Sequence, residues 1–367
     1  MIIGYLAKEL SSSHGTARYA RSLVEVMSVR HEVVVLTAST YKNETKVKTV
    51  HQVLSEPIFH PLAQIKTFFQ VLRFFRQCDI VHVLVEQYGP GAALACHILD
   101  IPFTMTMHGT YAVPPEKLSL KKVMMRYLYW RIDIGTTGSL YTEKKVKEIV
   151  SMGECRFIPN GVNLEKFHPL PEVKKKNNLL TVGMLKLRKG ADLVVEAMGL
   201  LQGRFPDLTY DIVGDQDDWY FVDKLKSRIQ TLGLTERVIF HEHIDDRELL
   251  ELYNQAKVFI LAARDESGHF EGFPMVFYEA NACGTPVITT KGFGSEYAIK
   301  DGHNGYVVDQ NDPHVIADKI AEILSNDSLQ KSMYAHGIEE AHKHTWDEIA
   351  KKLGAFYTDA IKIHAKR

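Results

Sequence analysis

Several marks of secreted, metal-stapled or membrane-spanning chains are missing from these 367 residues. The four cysteines, Cys78, Cys96, Cys155 and Cys283, are far apart, and none has C-x-x-C or metal-ligand spacing. Such usage argues against a disulfide framework or a structural zinc site and points to a reducing compartment. The opening stretch MIIGYLAKELSSS has neither the basic segment nor the apolar length of a signal peptide. No apolar run approaches the roughly 20 residues that cross a bilayer. Together these absences predict a cytoplasmic protein. Short-period repeats and low-complexity tracts are absent as well. Net charge is close to zero, at −1, but it is unevenly spread: residues 1–176 carry 23 Lys and Arg against 15 Asp and Glu, and residues 177–367 are acidic. Opposite charge in two halves suggests two domains with different partners. No nucleic-acid-binding motif accompanies the basic half, so nucleic acid is not an expected partner.

What is present is a repeated alternation of short apolar runs with longer segments of helical period. In the first half Ile2–Ala7, Glu32–Ala38, Ile80–Val85, Phe103–Met107 and Ile134–Thr137 read as buried strands. Segments such as Thr16–Val29 and Leu62–Gln77 read as the helices between them. The stretch PLPEVKKKNN, residues 169–178, breaks the pattern and reads as a linker. Alternation then resumes with Leu179–Gly183, Thr209–Val213, Val238–Phe240, Val258–Leu261 and Pro286–Thr290 as strands. The prediction is an α/β chain: a doubly wound, Rossmann-like domain over 1–168, a second over 179–345, and an amphipathic C-terminal helix over 346–367. Such folds bind ligands at the carboxyl ends of their strands, here in a central cleft that the two domains face.

The most informative segment is Glu271-Gly-Phe-Pro-Met-Val-Phe-Tyr-Glu279. Gly272 permits a tight turn, and Pro274 suits the first position of a helix that runs through Cys283 and stops at Gly284. Free N–H groups near Phe273, Pro274, Met275 and Val276 would then form an anion site. Glu271 precedes that site and Glu279 lies within the helix. One carboxylate could therefore hold sugar hydroxyls and the other ribose hydroxyls, with a diphosphate between them. Lys189 lies between a strand and a helix, near a cleft of phosphate size. In the first half, Ser13-His14-Gly15-Thr16 joins the first strand to its helix; Gly15 lets backbone approach a phosphate or sugar. This loop is not a G-x-G-x-x-G, which argues against a dinucleotide oxidoreductase. His108 ends a buried strand beside Gly109, a position that suits a cleft residue. Asp215-Gln216-Asp217 has the D-x-D form of a metal site but reads as acidic residues in a turn.

With the E-x7-E segment in this setting, the chain resembles family 4 of the retaining glycosyltransferases, of GT-B fold. The resemblance extends to Pro159-Asn160-Gly161-Val162, Val182-Gly183 with Lys189-Gly190, Ala282-Cys283-Gly284-Thr285-Pro286-Val287, and Asp301-Gly302 with Asn304-Gly305. It implies that Glu271 binds the donor sugar, Glu279 the ribose, Lys189 the diphosphate, and that His108 lies against the donor sugar near the reacting carbon. It also implies a C-terminal helix crossing back to the first domain, a nucleoside-diphosphate sugar as donor, and no metal or other cofactor. The family usually has an arginine after the glycine of Val182-Gly183, where this chain has Met184; Lys186 or Arg188 are the substitutes at hand.

Leu118–Arg131, with Lys121, Lys122, Arg126 and Arg131 among Tyr127, Tyr129 and Trp130, suits an anionic membrane surface. Lys66–Arg76 repeats the theme with four phenylalanines. The expected function is transfer of a hexose or N-acetylhexosamine to a glycan or lipid-linked acceptor, in cell-surface glycan, lipopolysaccharide or glycolipid synthesis. A nucleotide-sugar epimerase and a non-catalytic nucleotide-sugar-binding protein are the alternatives.

Overall fold

Strands buried on both faces alternate with helices that cover them, and in the computed structural model this produces two parallel sheets. The structure describes residues 1–12 and 14–367. The chain divides into two compact units: residues 1–160 with 346–367, and residues 161–345.

The first unit holds β1 (Ile2–Leu6), β2 (Glu32–Ala38), β3 (Val50–Leu54), β4 (Ile80–Val83), β5 (Phe103–Met107), β6 (Ile134–Thr137) and β7 (Cys155–Phe157). Their order is β3-β2-β1-β4-β5-β6-β7, parallel throughout, with the strand order reversing between β1 and β4. The inner strands β4, β5 and β6 are buried at every position, and their polar members His82, Thr104, Thr106, Thr136 and Thr137 are buried with them. The edge strands β3 and β7 are short and partly polar, and their sequences give no strand signal. The helix Gly15–Ser28 buries Ala17, Ala20, Leu23, Val24 and Met27 along one stripe. The C-terminal helix Trp346–His364 belongs to this unit. It is held there by Arg30 to Asp347 at 2.9 Å and, in the core, by Tyr357 Oη to His82 Nδ1 at 2.7 Å. His82 Nε2 meets Thr106 at 2.8 Å, so a polar chain crosses the sheet and is satisfied at each link.

The second unit holds β8 (Lys176–Val182), β9 (Thr209–Val213), β10 (Val238–His241), β11 (Ala256–Leu261), β12 (Val287–Thr290) and β13 (Gly305–Val308). The order is β10-β9-β8-β11-β12-β13, again parallel, with its reversal between β8 and β11. Residues 161–178 lie within this unit, including the stretch that the sequence suggests as a linker. Two of the three lysines of that stretch are anchored: Lys176 opens β8, and Lys175 Nζ donates to the Ala256 carbonyl at 2.9 Å and to Thr285 at 2.6 Å.

Candidate active site

In the second unit, the loops leaving the carboxyl ends of β8 and β11 meet at the point where the strand order reverses. This is where doubly wound sheets bind ligands. After β8, Leu187–Lys189 forms a single 3-10 turn that Gly190 closes at φ 75°. A Cβ on Gly190 would lie 1.9 Å from the Ala262 carbonyl oxygen, so only glycine lets this loop pass so close to the end of β11. A second tie is the Arg264 N–H, which donates to the Arg188 carbonyl at 2.9 Å.

This close approach brings Arg188 and Lys189 onto Glu271. The Glu271 residue is only 7% exposed. Its Oε2 lies 2.9 Å from Lys189 Nζ, and its Oε1 pairs with the Arg188 guanidinium. Burial, and then the charges of Arg188 and Lys186, push the Lys189 ammonium down from its ordinary value to about 7. The Glu271 carboxylate works in the opposite direction and favours the proton on Nζ. Met184 offers no charge, and Arg188 is the cation the loop places beside Lys189. The pairing of Glu271 with Lys189 and Arg188 is not written in the sequence, because more than 80 positions separate them.

The helix after Glu271 spans Val276–Ala282, so it starts two residues later than the proline suggests. Its first ladder donors are the Tyr278 and Glu279 N–H groups, both bonded to the Met275 carbonyl, at 3.0 and 3.1 Å. Pro274 therefore lies ahead of the helix, and Met275 rather than Pro274 stands at its cap. The helix end agrees with expectation: Cys283 caps it and Gly284 follows at φ 68°. Glu279 is 5% exposed and accepts a hydrogen bond from the Tyr253 hydroxyl at 2.9 Å. Tyr253, from the helix Asp246–Gln255, carried no signal in the sequence as a site residue. Phe273 packs at a tilt on Tyr278, whose other contact is a stacked His344, with ring centroids 5.5 and 4.4 Å away.

His108 and Gly15 belong to the first unit. His108 follows β5 directly. Its main-chain N–H donates to Glu86 Oε1 at 2.5 Å, and the Tyr19 ring packs edge-on at 4.7 Å. Its Nε2 is buried and has no hydrogen-bond partner among the described residues. Burial lowers its pKa to about 4, so the ring is neutral at neutral pH. Glu86, just beyond β4, is a buried carboxyl that burial pushes up to about 7. A lone acid just after an apolar strand was the available sequence signal for it. Gly15 opens its helix with ordinary backbone, and an added Cβ would meet nothing within 4 Å. The chain itself thus does not require glycine there; Ser13 of the same loop lies outside the described residues.

The basic aromatic segment divides between core and surface. Within the helix Leu120–Arg131, Tyr129 and Arg131 point inward: the Tyr129 hydroxyl donates to the Ala112 carbonyl at 2.5 Å, and Arg131 pairs with buried Asp133 at 3.3 Å. Both are therefore structural and unavailable to a membrane. Leu118, Leu120, Val123, Arg126 and Trp130 are exposed. No described helix is long and apolar enough to cross a membrane.

Comparison with known proteins bears on this arrangement. Residues 163–340 match the family model for glycosyl transferases group 1, and residues 13–166 match that for glycosyltransferase family 4. The chain is 31% identical over 313 residues to a D-inositol 3-phosphate glycosyltransferase of Corynebacterium diphtheriae, covering 78% of this chain and 71% of that one. It is 26% identical over 344 residues to a GDP-mannose-dependent alpha-(1-6)-phosphatidylinositol monomannoside mannosyltransferase of Mycolicibacterium smegmatis, covering 88% and 89%. Among solved structures, Anabaena Alr3699/HepE in complex with UDP and glucose superposes with a TM-score of 0.81 at 17% identity, covering 98% of this chain and 100% of that one. That likeness shows a shared fold.

Proposed function

Because the chain belongs to the group 1 glycosyl transferases, we propose that it moves a hexose or N-acetylhexosamine from a nucleoside diphosphate to an acceptor hydroxyl with retention of anomeric configuration. The observation that carries this reading is the buried Glu271 carboxylate held between Lys189 and Arg188. A donor diphosphate offers these two cations what Glu271 now gives them. On binding, the pairs exchange: the cations turn to the phosphates and Glu271 is released to sugar hydroxyls. Glu279, oriented by Tyr253, takes the ribose hydroxyls. Phe273, Pro274 and Met275 form the chain just before the helix and supply main-chain contact to the donor.

Breaking the glycosidic bond builds negative charge on the leaving diphosphate, and preorganised cations stabilise that state. Lys189 and Arg188 thereby do what a divalent ion does in other transferases, so the reading needs neither metal nor cofactor. Once released, the Glu271 carboxylate is engaged by sugar hydroxyls, so the reading assigns same-face attack, in which the leaving phosphate oxygen takes the acceptor proton, with no covalent intermediate on Glu271. His108 offers a neutral imidazole, with Nε2 ready to bond a sugar hydroxyl. The named acceptors of the two relatives are an inositol phosphate and a phosphatidylinositol mannoside, which favours a phosphorylated or lipid-linked acceptor here. Exposed Leu118, Leu120, Val123 and Trp130 beside Lys121, Lys122 and Arg126 suit contact with an anionic membrane that presents such an acceptor on its cytoplasmic face.

The test is a thermal-shift and product screen over UDP- and GDP-sugars with inositol phosphate and glycolipid acceptors. One donor should raise the melting temperature by mass action. Its transfer product should keep the anomeric configuration by NMR, and Glu279→Ala should abolish the shift. An isomerised donor formed without acceptor would identify an epimerase instead, and an inverted product would reject the mechanism.

A further inference from the structure

A cavity in the first unit, of about 960 Å³, lies away from every residue discussed so far as a donor-binding group. Its lining comes from segments at the amino ends of the strands: Asp100 precedes β5, Arg131 precedes β6, and Gly153 precedes β7. His108 is at the opposite end of β5, roughly 16 Å away for a five-residue strand. The cavity is therefore on the reverse edge of the sheet from His108.

Its walls are cationic and aromatic. Arg126, Arg131 and Arg367 line it with Tyr127, Trp130 and His364, and Asp100 is its single lining carboxylate. Buried Asp133 is shared by Arg131, Arg367 and His364, at 3.3, 3.0 and 3.3 Å, so one acid serves two guanidinium groups. Arg126 has no acidic partner among the described residues. Two polar atoms of the lining residues are left over: the Tyr127 hydroxyl and Arg131 Nε are buried, with no hydrogen-bond partner among the described residues. The remaining guanidinium nitrogens of Arg131 are in use, Nη1 on Asp133 and Nη2 on the Ile101 carbonyl at 3.2 Å. Native proteins leave few buried donors unpaired, and those that persist call for an explanation such as a ligand. Trp130 is 65% exposed, with its ring 5.9 Å from that of Tyr127.

We propose that this cavity is a second ligand site, separate from the donor site, that binds a phosphomonoester carried on a flat or apolar body. A phosphate group presents peripheral oxygens to the Tyr127 hydroxyl, Arg131 Nε and the Arg126 fork, and guanidinium is the side chain best matched to it. Trp130 and Tyr127 supply an aromatic wall for the body. The same chemistry is offered by a soluble aromatic phosphate and by a phosphatidic acid headgroup. Trp130 shares its helix with exposed Leu120 and Val123, which makes both sources relevant.

Phenyl phosphate is the probe, titrated into the full chain carrying Trp219→Phe and Trp346→Phe so that Trp130 alone reports. The expected result is a saturable change in Trp130 emission at submillimolar concentration, at least tenfold weaker with inorganic phosphate. It should survive Glu279→Ala, which removes donor binding, and weaken at least tenfold in Arg126→Ala with Tyr127→Phe. Arg126 is exposed and Tyr127→Phe keeps the ring that packs on the core, so the melting temperature without ligand should be unchanged. Flotation with phosphatidylcholine vesicles containing phosphatidic acid separates the sources. Capture that phenyl phosphate reverses assigns a lipid headgroup, and phenyl phosphate binding without capture assigns a soluble ester. No saturable signal, a signal lost in Glu279→Ala, or one undiminished in the Arg126 and Tyr127 variant overturns the proposal.

Discussion

Replacing Lys189 by Met removes one cation from the buried group it forms with Arg188 and Glu271 while keeping most of the side chain's apolar length. A phosphate oxygen that takes the place of Glu271 Oε2 lies near 2.9 Å from Nζ. At an effective dielectric constant of about 20, a full charge at that distance is worth about 6 kcal/mol. In the ground state this gain is largely traded against the lost Lys189–Glu271 pair, so donor KM should change little. Bond breaking adds further negative charge to the leaving oxygen, and no ground-state pair offsets it. Half a unit of developing charge corresponds to about 3 kcal/mol, or on the order of a hundredfold in kcat. The assay is steady-state release of nucleoside diphosphate at saturating acceptor. The expected variant has kcat reduced about a hundredfold and KM within about threefold of wild type. A KM raised a hundredfold at unchanged kcat would show that Lys189 binds ground and transition states alike, and the exchange of pairs would be refuted.

Tyr253→Phe removes the hydroxyl that holds Glu279 Oε2 at 2.9 Å; donor affinity by calorimetry should fall about tenfold, consistent with about 1–3 kcal/mol for a lost bond to a charged group. An unchanged affinity would remove Tyr253 from the ribose site. Glu86→Gln keeps an acceptor for the His108 N–H but abolishes titration. Because burial raises the Glu86 pKa to about 7, its contribution to stability is complete below the ordinary carboxylate range and is lost as pH rises through 7. The melting temperature of the Gln variant should therefore gain on wild type between pH 5 and pH 8, and a variant that instead loses ground to wild type over that range would contradict the burial argument. Gly190→Ala puts a methyl group 1.9 Å from the Ala262 carbonyl at a left-handed φ, so a loss of about 3 kcal/mol or more is expected by denaturant unfolding. A near-neutral result there would mean that the two loops do not approach so closely.

The inner strands β1, β2, β4, β5 and β6 were legible because burial on both faces favours short segments rich in apolar and β-branched residues, which a linear reading detects. β3, β7 and β13 escaped it: they are edge strands of three to five residues, and an edge strand needs little apolar signal of its own. The Glu271 to Glu279 segment was also legible, since glycine, proline and two acids at fixed spacing are local chemistry. The start of its helix was not. Proline permits a first turn without requiring one, and the ladder begins where the Met275 carbonyl finds its donors.

By itself, then, the sequence determined the alternation of strand and helix, the family to which the chain belongs, and which residues are candidates for a sugar-nucleotide site. Tertiary structure alone decided which of them meet. It gave Glu271 to Lys189 and Arg188, Glu279 to Tyr253 and the His108 amide to Glu86, and it turned Tyr129 and Arg131 inward from a helix that reads as a surface element. The physical reason is that each of these partnerships joins loops or helices from different strands. Their energy depends on distance and burial, which follow from the order of strands in the sheet and have no counterpart in spacing along the chain.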